Sequence, residues 1–346
     1  LFVASDGAKH FVAAGTVRFM AGPGVPNKDR CRPKKMLSPY RCLTTNLNGE
    51  VMSKAVLLMA HGAPNTLDEV EEYVMRIRHG RPLAPELMAD IKQRYARIAG
   101  SPLLKWTILQ AEKLQAKYPG KIYTGMRHSQ PTIAETVRQM DADGVDSFIA
   151  VCLAPQFSAL TIGAYREELD KAIAEGRSMS YDMVRSYARH PALVEAYRVK
   201  LAEAQREHPG AFVIFTAHSL PRRVIREADP YDWEAKETAR LVALAAGVKD
   251  WRFAYQSQGL TSEPWLGPTV ESVLDDCVSK GVTDVIVTPI GFVCDHVEIL
   301  YDIDVFFREY AEKKGIKLTR SASLNDSPEF TDLLLSLITG AIAAGL

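Results

Sequence analysis

Three observations predict an α/β protein made of two similar domains, each a parallel β-sheet flanked by helices. Short apolar runs alternate with longer amphipathic segments from Lys54 onward. The two halves of that region repeat one another. The composition, 47% apolar and 24% charged over 346 residues, is that of a soluble globular chain of roughly two domains.

The apolar runs Ala55–Met59, Ile122–Gly125, Ser147–Leu153, Ala211–Thr216, Arg252–Tyr255 and Asp284–Thr288 are short and bounded by turn residues, so each predicts a strand. Apolar residues at helical spacing predict helices over Leu67–Arg78, Pro85–Ile98, Leu103–Lys117, Thr132–Asp141, Arg166–Glu175, Pro191–Glu207, Trp233–Ala246 and Val270–Ser279. Such alternation implies parallel sheets with helices on both faces.

The repeat is local and specific. Ala55–Pro64 reads AVLLMAHGAP, and Phe212–Pro221 reads FVIFTAHSLP. Each is a buried strand ending in Ala-His, then a small residue, then x-Pro. Tyr123 to Pro155 parallels Tyr255 to Phe292 in the same way. The reading is two Rossmann-like domains, residues 54–200 and 201–346, facing one another. In open α/β sheets the ligand crevice lies at the carboxyl ends of the strands, so chemistry is expected in the loops that follow them.

Charge and cysteine usage exclude several classes. Lys+Arg and Asp+Glu are both 42, so no basic surplus points to nucleic acid. No apolar run approaches the roughly 18 residues of a membrane span. The cysteines (Cys31, Cys42, Cys152, Cys277, Cys294) form no C-x-x-C pair, which argues against a structural zinc site and fits a reducing, cytoplasmic compartment. Residues 1–53 read differently. Up to Glu50 they hold eight basic residues against three acidic ones and lack sustained periodicity. They are expected to be a targeting leader or a non-native extension without stable structure.

Several residues could carry chemistry. His218 closes a strand, where an imidazole can meet a metal or take a proton near neutral pH; equally it could only bond a neighbouring carbonyl. Its repeat partner His61 has the same placement. Asp295-His296-Val297-Glu298 has the spacing of a capping box, with Asp295 at the N-cap. Asp302, four residues beyond Glu298, shares its helical face, and two carboxylates one turn apart make a site for a cation or a proton relay. Arg78-His79-Gly80-Arg81-Pro82 reads as a cationic helix end with a Gly stop, or as arginines for ligand carboxylates. Its near match to the R-H-G-x-R-x-P phosphatase motif is one residue short and on a helix. Arg94 and Tyr95, before Gly100-Ser101-Pro102, give a second cationic, hydroxyl-bearing loop. Trp265, held between Pro264 and Pro268, suits either a cleft wall for a flat ligand or a plug on the core.

Three linked blocks resemble ferrochelatases. FTAHSLP at Phe215–Pro221 is similar to their (S/T)-A-H-S-L-P segment, and PIGFVCDHVEILYD at Pro289–Asp302 to P-x-G-F-x-x-D-H-x-E-x-L-Y-D. Gln256-Ser257 with Pro264–Pro268 matches a third block. The resemblance runs from about Lys54 to the C-terminus. It implies two Rossmann-like domains around a porphyrin cleft, and insertion of Fe2+ into a porphyrin with release of two protons. By the same resemblance His218 and Glu298 are the catalytic, metal-handling pair, supplied by opposite halves and facing each other across the macrocycle. Asp302 extends an acidic path, although Phe306 stands where many relatives have a further carboxylate. The branch that uses coproporphyrin III is most similar; there, positions matching Arg78, Arg94, Tyr95, Ser101 and Tyr165 contact substrate, and Trp265 joins them here as cleft wall. A tyrosine that can ligate iron in that branch aligns with Asn65, and His61 is another position where relatives can have Tyr. No tightly bound cofactor is implied, and no iron–sulfur cluster, since no cysteine follows Cys294. Porphyrin and Fe2+ are the expected partners, without nucleic acid. The chain is expected to be monomeric and cytoplasmic, with at most peripheral membrane contact. Protoporphyrin IX as substrate, a cobalt or nickel chelatase, a non-catalytic porphyrin or haem carrier, and a plain two-domain binder are the alternatives.

Overall fold

The computed structural model describes residues 54–176, 179–259 and 262–343; the expected leader, residues 1–53, lies outside them. Two parallel four-stranded sheets form the body. The first holds β1 (Ala55–Ala60), β2 (Ile122–Met126), β3 (Ser147–Cys152) and β4 (Ser180–Val184) in the order β2-β1-β3-β4. The second holds β5 (Phe212–His218), β6 (Trp251–Gln256), β7 (Asp284–Thr288) and β8 (Lys317–Arg320) in the order β6-β5-β7-β8. The same order in both sheets is the spatial form of the sequence repeat.

All six expected strands and all eight expected helices are present, with ends shifted by a few residues. β4 and β8 were not expected. Both are short outer strands with a partly exposed face and polar residues (SYDMV and KLTR), so neither carries an apolar run that would single it out. By contrast every residue of β1, a central strand, is buried.

The helix Pro191–Glu207 runs through position 200, and the last helix, Pro328–Ala343, packs on both it and Leu103–Gln115. Leu114, Leu193, Tyr197, Phe330, Leu333 and Leu334 therefore belong to one apolar core that also takes in Val56 and Leu58 from the first sheet and Val213 and Phe215 from the second. That shared core ties the two halves together, which fixes the gap between their strand ends.

The chain after β7 is irregular. A single helical turn, Val297–Leu300, leads into a π-helical turn, Asp302–Phe307, in which the Phe306 N–H donates to Tyr301 O at 2.9 Å. Widened turns of this kind add a residue to the helix and recur at functional sites.

Close backbone approach sets the geometry just upstream. The Gly291 N–H donates to Thr216 O at 3.2 Å. A Cβ at Gly291 would lie 2.7 Å from Ala217 Cβ and 2.8 Å from its Cα, beside His218. Gly291→Ala should therefore lose about 1–3 kcal/mol of stability through overpacking, measured by urea denaturation. Unchanged stability would show that the loop is not pressed against the β5 end.

Candidate active site

The carboxyl ends of both sheets open on one cleft of about 1040 Å³. His61, which follows β1, and His218, which ends β5, both line it. So do Tyr73, Tyr95, Ser101 and Tyr165 from the first half, and Tyr231, Phe292, Cys294, His296 and Glu298 from the second. Most of its wall is apolar or aromatic, with a few polar groups aimed inward, as small-molecule sites are.

Glu298 is the centre of the polar set. Its Oε1 lies 3.3 Å from His218 Nε2, and its Oε2 lies 3.3 Å from His296 Nε2. The His218 Nδ1 rests against Ser219 O, and the His296 Nδ1 lies 2.9 Å from Cys294 O. A carbonyl only accepts, so each Nδ1 carries a proton and each Nε2 is presented to the carboxylate. Gln256 Nε2 donates to the Glu298 backbone O at 2.7 Å and fixes the turn. Burial alone would push the Glu298 carboxyl up; its contacts with His218 and His296 are among the interactions that draw it the other way, and it lies well below the usual carboxylate range.

Two expectations are corrected here. His218 and Glu298 both issue from the second sheet and touch, so no macrocycle fits between them; they form one wall of the cleft, not two. The capping box is absent as well. The residue at the helix start is His296, without a side-chain cap, and the Asp295 carboxylate instead meets Arg320, Ser323 and Asn325. The spacing matched a cap, but charge pairing with a distant strand won.

Tyr95, Ser101 and Tyr165 line the cleft; among the described residues the buried Ser101 hydroxyl has no hydrogen-bond partner, and the Tyr95 hydroxyl lies in the same buried set beside Tyr73. Arg94 and Asp302 line a smaller adjoining cavity of about 580 Å³, which Tyr95 and Glu298 also border. Arg94 is paired with Asp90 at 2.7 Å and lies over the Tyr301 ring at 5.4 Å. Asp302 accepts from Ser257, and burial pushes its carboxyl up to about 6. Three residues lie elsewhere. Arg78 ends its helix, half-buried, with its guanidinium on the Arg81 and Pro82 carbonyls at 3.0 and 3.3 Å. Asn65 is exposed and held by Glu69, so His61, not Asn65, is the first-loop side chain in the cleft. Trp265 does not line the cleft; its loop bridges to Pro221, and the Ser219 hydroxyl donates to Leu266 O at 2.9 Å, bracing the chain after His218.

Sequence reasoning missed Tyr73, His128 and His296. The Tyr73 hydroxyl donates to Gly62 O and lies 3.2 Å from His61 Nδ1. The His61 and His128 rings are 4.7 Å apart. Tyr73 read as one more apolar position on an amphipathic helix, and His128 lay in an unassigned polar loop.

The match to known proteins decides the family. The ferrochelatase family profile matches residues 53–342. The chain is 40% identical over 304 residues to the ferrochelatase of Acidobacterium capsulatum, covering 82% of this chain and 93% of that protein.

The chain belongs to the ferrochelatase family.

This ferrochelatase is also similar to two proteins named coproporphyrin III ferrochelatase. One, from Halalkalibacterium halodurans, is 38% identical and is covered over 97% of its length, with 83% of this chain; the other, from a Geobacillus strain, is 36% identical with 96% and 82% covered. Among solved structures, SirB from Bacillus subtilis with Fe3+ superposes with a TM-score of 0.57 at 14% identity, over 85% of this chain and 98% of that one. At that identity the likeness is one of fold. Among the described residues no helix is long and apolar enough to cross a membrane.

His128 gives a pH prediction. Burial pushes it down from 6.5 to about 2, with His61 and Arg127 adding to the effect. A depressed value in the folded state means the contribution is full above pH 6.5 and is lost as pH falls. Between pH 7 and pH 5 this ring should account for about 2 kcal/mol of lost stability. Denaturation of native protein and His128→Gln at both pH values should show that difference; equal losses would mean His128 does not titrate on unfolding.

Proposed function

We propose that this ferrochelatase inserts Fe2+ into coproporphyrin III, with His218 and Glu298 as the groups that receive pyrrole protons and meet the metal. The observation that carries the reading is the His218–Glu298–His296 cluster on one wall of a cleft otherwise suited to a flat apolar ring. The names of the two similar coproporphyrin III enzymes support the substrate.

The reaction exchanges charge evenly. The free-base ring gives up two N–H protons, Fe2+ takes their place, and the net charge of the macrocycle is unchanged. The pyrrole nitrogens hide their lone pairs in the ring plane, so the ring must bend before metal can enter. A clamped cleft supplies that distortion from binding energy spent on the ring's periphery. The Tyr95, Ser101 and Tyr165 hydroxyls, which all line the cleft, are placed to bind such a periphery. Arg94 and Asp302 border the adjoining cavity, where Arg94 can reach a carboxylate and Asp302 can accept protons passed from Glu298. His61, on the first-half side, can approach the metal from the face His218 does not occupy. Imidazole and carboxylate suit Fe2+, and so few donors bind it weakly enough to let it go.

Glu298 sits between two imidazoles whose Nε2 atoms face it, so a pyrrole proton received by the carboxylate can be handed to either ring without a large movement. His218→Ala should abolish insertion while leaving porphyrin binding largely intact. Glu298→Gln should slow insertion by roughly 10² or more. Both are read anaerobically with Fe2+ by loss of the free-base absorption bands, with a melting curve for each variant. Near-normal turnover in His218→Ala would remove that residue from the mechanism. Offered coproporphyrin III and protoporphyrin IX in turn, the native protein should turn over the first faster; the reverse order would reassign the substrate.

A further inference from the structure

We propose that Arg320 is a positioning residue for metal insertion, a single guanidinium that pins both ends of the segment carrying Glu298 and Asp302. The proposal rests on the reading that those two carboxylates handle metal and protons.

Arg320 is the last residue of β8, outside the cleft. Its Nε and one terminal nitrogen donate to the two oxygens of Asp304, both at 2.9 Å. The other terminal nitrogen lies 3.2 Å from Asp295 Oδ1 and also donates to the Ser323 hydroxyl at 3.2 Å and to Ser321 O at 3.3 Å. Asp295 is held further by the Ser323 hydroxyl at 2.7 Å and by Asn325, which accepts from the Asp295 N–H at 2.8 Å and donates to its carboxylate at 3.0 Å. Arg308 also approaches Asp304, at 3.6 Å. The Arg320 side chain is 12% exposed, and its two partners 17% and 21%. Charge-assisted pairs this sheltered are poorly screened by solvent.

Residues 295 and 304 bracket Glu298 and Asp302 in the chain. Between them local structure is weak: one helical turn without a side-chain N-cap, then a π-turn. Four residues of helix cannot hold their own geometry, since nucleating a turn is unfavourable. The register of Glu298 against His218 must therefore be set from outside. Gln256 holds the middle of the segment by the Glu298 carbonyl, and Arg320 holds its two ends to β8. A guanidinium can do this because its planar fork spreads donors over three nitrogens and meets Asp304 bidentately while reaching Asp295; an ammonium gathers its donors on one atom and cannot reproduce that span. Losing the guanidinium takes the cationic partner from Asp295 and leaves Asp304 only the longer approach of Arg308 at 3.6 Å, which loosens the turn that carries Asp302.

The test compares Arg320→Met and Arg320→Lys in anaerobic Fe2+ insertion, with rates divided by porphyrin-binding sites counted by fluorescence titration. Arg320→Met should lower kcat roughly 10- to 100-fold while the porphyrin KM stays within about threefold. Arg320→Lys should recover part of kcat. In the Asp302→Asn background, Arg320→Met should cost less than it does alone, because the carboxylate it positions is already gone. A merely structural role would reduce the number of binding sites and leave kcat per site unchanged. If Arg320→Met fails to fold, Arg320→Lys and Asp304→Asn carry the same comparison. A kcat per site within about twofold of native in a folded variant overturns the proposal. Glu298→Gln, run alongside, separates the two readings: inactive Glu298→Gln with normal Arg320→Met sinks only the pin, whereas normal Glu298→Gln sinks the assignment beneath it.

Discussion

One carboxylate held between two imidazoles is the constraint on which the rest of the structure depends. Glu298 faces His218 on one oxygen and His296 on the other, and both rings are turned toward it by backbone carbonyls behind them. That arrangement needs the end of β5, the turn after β7 and the end of β6 to converge within hydrogen-bond distances. Parallel sheets with their carboxyl ends facing a common gap deliver such convergence; a hairpin-connected sheet would scatter those loops to both edges. Gly291 allows the β7 loop to press against Ala217, and Gln256 ties β6 to the Glu298 turn. The fold's regular part thus brings the pieces close, and a few contacts outside the cleft set them.

The duplication has unequal outcomes in the two halves. Both central strands end in Ala-His, and both histidines reach the cleft. In the second half the histidine meets a carboxylate. In the first it lies against Tyr73 and His128, where burial and neighbouring positive charge push His61 down to about 3. One wall therefore presents a carboxylate between two imidazoles, while the other offers a neutral nitrogen. For a reaction that removes two protons and adds one cation to a flat ring, asymmetry between the walls is an advantage. A second acidic wall would hold the metal too well to release it.

Much of this was legible in the chain. The AVLLMAHGAP and FVIFTAHSLP repeats announced two alike sheets and placed His61 and His218 at strand ends, because a buried strand followed by a turn leaves a local signature. What failed was anything set by contact across the chain. β4 and β8 form only because an inner strand offers them an edge, and their own residues are too polar and few to declare it. Asp295 has the spacing of a cap, yet a strand some twenty-five residues later takes its charge. The His218–Glu298 pair was expected to straddle a ring although both fall within residues 201–346, the second domain; sequence gives no direction to a side chain, and the two in fact touch. Trp265 looked like cleft lining for the same reason and turned out to brace the chain behind His218.

The most direct test of the central claim is a crystal structure of the protein with free-base coproporphyrin III, grown without metal. The account predicts the macrocycle in the cleft, with the Glu298 carboxylate and the His218 imidazole together over one face of its four nitrogens and His61 toward the other. A porphyrin bound away from the cleft, or lying with its nitrogens out of reach of Glu298, would contradict it.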